Sequence, residues 1–107
     1  YLGKPISVNQ KMLSAAFASF KPAAGESYIA FDLLYPLLMQ SSNQAANILA
    51  GFTGREQFVV NMNKKAASLS MDDTVFADAS GQLSGNISSA TDLEKLLRYT
   101  YFKRKFI

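Results

Sequence analysis

Apolar residues recur at helical spacing in four stretches of the chain. From Tyr28 to Met39, Phe31, Leu34 and Leu38 fall at i, i+3 and i+7, one face of a helix. Pro36 has no N–H and is expected to break or kink that helix, with Tyr35 biased away from helical angles. A second helix fits Gln44 to Phe52, with Ala45, Ile48, Leu49 and Phe52 on one face and Gly51 and Gly54 bounding its end. Thr53 to Glu56, "TGRE", has the spacing of a capping box and opens a third helix through about Leu69. Its stripe is Val59, Met62, Ala66 and Leu69. Thr91 to Glu94, "TDLE", repeats the spacing and opens a fourth, with Leu93, Leu96, Leu97 and Tyr101 expected inward.

Polar and turn residues fill the gaps. Residues 1–27 read as irregular with at most one short helix: Lys11 to Ala18 are helix formers, whereas Ser7, Val8 and Asn9 fit an extended chain equally well. "KPAAGES" supplies Pro22 and Gly25, a turn before the next element. Asp72 to Ser89 is rich in Gly, Ser, Asp and Asn and reads as a long connection, with a short strand at Thr74 to Phe76. Connections of that length are often functional. Strand is expected only in short pieces near residues 74–88, so the chain is mainly α. No internal repeat and no low-complexity tract is visible.

Composition narrows the chemistry. A length of 107 residues fits one domain or a piece of one, and 49% hydrophobic with 18% charged residues is ordinary for a globular chain. A net charge of +3 is too small to argue for nucleic acid. The sequence holds no Cys and no His, which excludes zinc sites built from them, Cys nucleophiles and a Ser-His-Asp triad. No disulfide can form, so cysteine usage says nothing about the redox compartment. The longest apolar run, Ile29 to Met39, is interrupted by Asp32 and Pro36 and is too short to span a bilayer. No export signal is visible at Tyr1, so one would have to be removed or lie outside these residues.

Ser41, Ser42 and Asn43 stand between two apolar runs. Small polar residues there serve as N-caps, accepting bonds from the orphan N–H groups of the helix that follows. The same types held on a turn can also present a hydroxyl and an amide to a substrate. The two roles are compatible, since one Ser can cap while another faces a cleft.

The surroundings of this tripeptide resemble the serine-type D-alanyl-D-alanine carboxypeptidases and endopeptidases, the low-molecular-mass penicillin-binding proteins. That family carries a Ser-x-Asn motif on a turn between helices of its all-helical subdomain. Here Ser41-Ser42-Asn43 matches it, preceded by "DLLYPLLMQ" and followed by "QAANILA". "KPAAGESYIAFDLL" upstream and "FVVNMNKKAASLSMDDTVFADASGQLSGNISSATDLEKLL" downstream match in order, so the likeness covers roughly residues 20–100. The resemblance implies the helical subdomain of the penicillin-binding-protein and β-lactamase-like transpeptidase fold. It implies acyl transfer through a seryl-enzyme, with no metal or organic cofactor. Ser41 would relay protons beside the nucleophile, and Asn43 would hydrogen-bond the substrate backbone and help hold the active-site lysine. Implied partners are the peptidoglycan stem peptide, β-lactam antibiotics and the remainder of the catalytic domain, in the bacterial cell envelope or periplasm.

The departures set the expectation for this chain. No Lys has a Ser three residues before it, so the nucleophile motif Ser-x-x-Lys is absent, and Lys-Thr-Gly is absent too. Gln44 stands where an acidic residue is common in the family. Residues 1–107 therefore read as one helical subdomain, incomplete relative to the family's catalytic domain and inert alone. The rival reading is a non-catalytic helical binding module of the same fold. "DASGQLSGNISSATDL" looks closer to the endopeptidase-like members. Elsewhere, the basic and aromatic "RYTYFKRKF" reads as a solvated helix end, and Asp72, Asp73 and Asp78 read as turn residues, lacking a calcium-loop spacing. Tyr28 and Tyr35 read as core aromatics with a polar edge.

Overall fold

The computed structural model describes residues 3–13 and 21–103. Its elements run β1 (Pro5–Ser7), a 3-10 turn (Gln10–Met12), β2 (Ser27–Ile29), α1 (Ala30–Gln40), α2 (Asn43–Ala50), α3 (Arg55–Ser68) and α4 (Ala90–Lys103). The mainly helical expectation holds.

The expectation that strand is confined to residues 74–88 does not. There, Val75 and Ile87 form a single antiparallel bridge, but β1 and β2 also pair antiparallel, with Ile6 opposite Tyr28 and Ser7 opposite Ser27. The Val8 N–H donates to the Glu26 carbonyl at 2.7 Å and the Gly25 N–H to the Val8 carbonyl at 2.9 Å, which extends the pairing toward the turn. Ile6 and Val8 alternate inward and are buried. Three-residue strands whose partners lie some twenty positions away leave too little alternation to read. Of the helix formers at Lys11 to Ala18, residues 14–18 lie outside the described residues.

Because Tyr28 and Ile29 belong to β2, α1 starts later than the apolar spacing predicts. It also runs on through Pro36, contrary to expectation. Pro36 deprives the helix of one hydrogen bond, whereas Ala30 and Leu33 anchor it in the core at 0% and 1% exposure. The inward stripe is Ala30, Leu33 and Leu37, one residue out of step with the predicted Phe31, Leu34 and Leu38. Phe31, Tyr35 and Leu38 are exposed, so Tyr35 is no core aromatic. A helix apolar on every side satisfies the same spacing twice, and packing on α2 selects the stripe containing the small Ala30.

The prediction for α2 holds: Ala45 and Ile48 are fully buried, with Leu49 and Phe52 packed alongside. These side chains, with Ile6, Val8, Ala30 and Leu33, form the core between the hairpin and the α1–α2 pair, ringed by Met12, Leu13, Tyr28 and Leu37. The stripe of α3 also faces inward as predicted. Its capping box does not form, because Gly54, at φ 93°, is the N-cap and no side chain caps the helix. Only glycine enters a helix from that backbone region without strain.

The cap of α4 is likewise displaced. Ser89 Oγ accepts from the Asp92 N–H at 3.1 Å, so the helix opens at Ala90 rather than at Thr91. Leu96 packs with Met62, Ala66, Leu69, Met71 and Phe76 around a small cavity of about 220 Å³. Leu93, Leu97 and Tyr101, expected inward, are exposed. Side chains tie α4 to α3 instead: Lys65 Nζ donates to Tyr99 Oη at 2.8 Å and lies 4.2 Å from its ring centre. Among the described residues, no helix is long and apolar enough to cross a membrane.

Candidate active-site wall

The tripeptide Ser41-Ser42-Asn43 forms the whole turn between α1 and α2, and each residue does something different. Ser41 closes α1 in the left-handed conformation, φ 53° and ψ 41°. Its N–H and that of Ser42 both turn back to the Pro36 carbonyl, the latter at 3.1 Å. A non-glycine residue pays about 1–2 kcal/mol for that backbone, strain of the kind that gathers at functional turns.

Ser42 is the cap. Its backbone is extended, its Oγ accepts from the Ala45 N–H at 3.1 Å, and its carbonyl accepts from the Ala46 N–H at 3.2 Å. At 3% exposure its hydroxyl is committed to the fold. Asn43, half-buried, is the first residue of α2, so the helix starts where the sequence places it. Among the described residues, the Ser41 hydroxyl and the Asn43 amide have no hydrogen-bond partner. The turn thus carries one donor-acceptor hydroxyl and one amide flanking a capping serine, held by backbone bonds to both helices. Of the two readings of the tripeptide, the structural one is realised, and Ser42 is the residue that takes it.

A cavity of about 700 Å³ lies at the other end of α2, lined by residues including Met12, Asn47, Gly51, Arg55 and Gln57. Neither Ser41 nor Asn43 lines it. Asn47 donates from Nδ2 to the Met12 carbonyl at 3.2 Å and Arg55 from its guanidinium to the Lys11 carbonyl at 3.0 Å, so these two polar groups fasten the chain near the 3-10 turn.

Side chains order the connection from residue 69 to 89, Asp78, Asn63 and Asp92 among them. Asp78 accepts from the Gly81 N–H at 2.6 Å, the Leu83 N–H at 2.8 Å and Asn86 Nδ2 at 2.9 Å, which is the work of a turn residue. Burial alone would push its carboxyl up, but these donors outweigh that and hold it below the usual carboxylate range. Asn63 on α3 exchanges two bonds with the backbone of Phe76, at 2.8 and 2.9 Å, as a strand neighbour would. Asp92, 2% exposed, accepts from Thr74 Oγ1 at 2.6 Å and the Asp73 N–H at 2.9 Å. Sequence reading missed Asn63, Thr74 and Asp92 as organisers. Only Asp92 left a signal, three residues after Ser89. Among the described residues, no group of three or more His, Cys, Asp or Glu is placed to hold a metal ion.

Known proteins resemble this chain in both sequence and fold. The sequence model of the D-alanyl-D-alanine carboxypeptidases (peptidase S11) matches residues 5–105. A D-alanyl-D-alanine endopeptidase of Haemophilus influenzae is 46% identical over 74 residues, covering 67% of this chain and 25% of that protein. The crystal structure of D-alanyl-D-alanine carboxypeptidase from Mycobacterium tuberculosis superposes with a TM-score of 0.86 at 32% identity, over 94% of this chain and 39% of that one. Penicillin binding protein 6B from Escherichia coli gives 0.81 at 29% identity, over 94% and 34%. The chain therefore spans about a quarter of the curated relative and little more than a third of the solved ones. Matched along nearly its whole length, it belongs to the D-alanyl-D-alanine carboxypeptidase family.

Proposed function

We propose that residues 1–107 furnish the helical wall of a serine-type D-alanyl-D-alanine peptidase acting on peptidoglycan stem peptides outside the cytoplasm. The observation that carries this reading is the division of labour on the turn. Ser42 takes the cap, and the Ser41 hydroxyl and the Asn43 amide have no hydrogen-bond partner among the described residues. The nucleophile and its lysine, from Ser-x-x-Lys, and the carboxylate-binding Lys-Thr-Gly belong to parts of the protein beyond these residues. In the assembled site the nucleophilic serine attacks the scissile carbonyl, and its proton passes by way of Ser41 to the departing amine. Asn43 donates to the substrate backbone and steadies the lysine. A β-lactam acylates the same serine. The name of the Haemophilus influenzae relative supports an endopeptidase that opens cross-links.

Two measurements test the proposal. Incubated alone with a fluorescent penicillin, the 107-residue chain forms no adduct that survives denaturation; a labelled band at its mass overturns the assignment of the nucleophile. In the full-length protein, Asn43→Ala removes a charge-assisted hydrogen bond of about 1.5–3 kcal/mol and slows acylation roughly ten- to a hundredfold. Its unfolding free energy changes by about 1 kcal/mol or less, since Ser42 and not Asn43 is the cap. Unchanged acylation by that mutant would leave the turn as nothing more than a helix start, as in a non-catalytic binding module.

A further inference from the structure

We infer that Ser42 is a positioning residue for the acylation step, acting through Asn43; this rests on the proposed function. The residue is tied to both helices at once. Its N–H donates to the Pro36 carbonyl of α1 at 3.1 Å, and its Oγ accepts from the Ala45 N–H of α2 at 3.1 Å. The first bond belongs to the backbone and survives any side-chain change other than proline. The second is lost with the hydroxyl. The two flanking residues depend on these ties unequally. Ser41 is held by the Pro36 carbonyl and its own left-handed backbone, on the α1 side. Asn43 lies in the first turn of α2, directly between the capping oxygen and the N–H it captures. Helix ends fray first, and with the cap removed the turn around Asn43 keeps the bond from the Ala46 N–H to the Ser42 carbonyl at 3.2 Å but loses the one from the Ala45 N–H, so it is Asn43 whose backbone is loosened. The 3% exposure of Ser42 keeps its hydroxyl from substrate, so any effect on rate has to pass through a neighbour.

The test is a double-mutant cycle in the full-length protein, read as the acylation rate by a fluorescent penicillin per folded molecule, well below the unfolding midpoint. Ser42→Ala slows acylation about tenfold, within the roughly hundredfold that a misplacement of about 1 Å can cost. Ser42→Thr, which keeps a capping hydroxyl, restores most of the rate. In an Asn43→Ala background, Ser42→Ala costs nothing further, because the group it positions is gone. A cap with only a structural role lowers the unfolding midpoint and leaves the rate per folded molecule unchanged; that result overturns the inference, as does a tenfold loss that persists in the Asn43→Ala background. A wild-type protein that takes up no label overturns the proposed function itself, and so separates the two failures.

Discussion

Asp92 is the most buried carboxylate among the described residues, and replacing it tests how the long connection is held. Its Oδ2 accepts from Thr74 Oγ1 at 2.6 Å and the Asp73 N–H at 2.9 Å, at 2% exposure. Its Oδ1 lies 3.8 Å from Lys95 Nζ, which donates at 2.6 Å to the Ser70 carbonyl. In Asp92→Ala two donors lose a charged acceptor, each such bond being worth about 1.5–3 kcal/mol. Thr74 keeps Ser88 Oγ at 2.8 Å as an alternative, which moves its share to the low end. The expected loss is about 3–4.5 kcal/mol, falling to about half in Asp92→Asn, which keeps one acceptor and the shape. The control is Glu94, whose pair with Arg98 is the shorter at 2.6 Å but lies at side-chain exposures of 54% and 68%. Solvent screening leaves such a pair about 0.5 kcal/mol, so Glu94→Ala changes little despite the better distance. Urea unfolding followed by circular dichroism measures both. If Asp92→Ala costs no more than Glu94→Ala, the carboxylate does not hold residues 70–76 to α4, and the reasoning fails.

Other expectations follow from burial and charge. Asp78 is held below the usual carboxylate range in the fold, so its stabilising share is present above the unfolded value of about 3.9 and is lost as pH falls through the lower folded one. The urea midpoint of Asp78→Asn should therefore vary less than that of the wild type below about pH 4, and identical slopes would refute this. Ile48→Ala opens a cavity at a position with 0% exposure and should cost about 2–5 kcal/mol in the same urea assay. Met39→Ala, at 81% exposure, should stay within about 0.5 kcal/mol, and comparable losses would contradict the placement of the core.

What the sequence disclosed tracks how local the responsible physics is. The helices at 43–50 and 55–68 were legible because apolar residues recur three and four positions apart in each. For α1 the element was legible and its face was not: Phe31, Leu34 and Leu38 repeat the spacing of Ala30, Leu33 and Leu37 one residue along. The pairing of Ile6 with Tyr28 is a long-range event between short strands, with no linear pattern. The connection was recognisable by its turn residues, but its order comes from Asn63, Asp78 and Asp92 reaching backbone groups at separations that follow no period. At the turn itself the residue types were visible and their assignment was not. Ser41 and Ser42 are both good caps on paper, and the choice falls to Ser42 because Ser41 is already used in closing α1.

The left-handed backbone at Ser41 also limits which amino acids can bring an alcohol to this turn. Threonine has the same functional group, but a branch at Cβ makes positive φ a genuine outlier. Glycine, asparagine and aspartate adopt the conformation readily and bring no hydroxyl. Tyrosine carries its oxygen on a ring, too far from the main chain to sit beside a neighbouring nucleophile. The demand of the fold and the demand of the proposed proton relay therefore overlap on a single side chain. Under that proposal the backbone narrows the choice as much as the chemistry does, so a threonine there would be rejected even if its oxygen could do the same work.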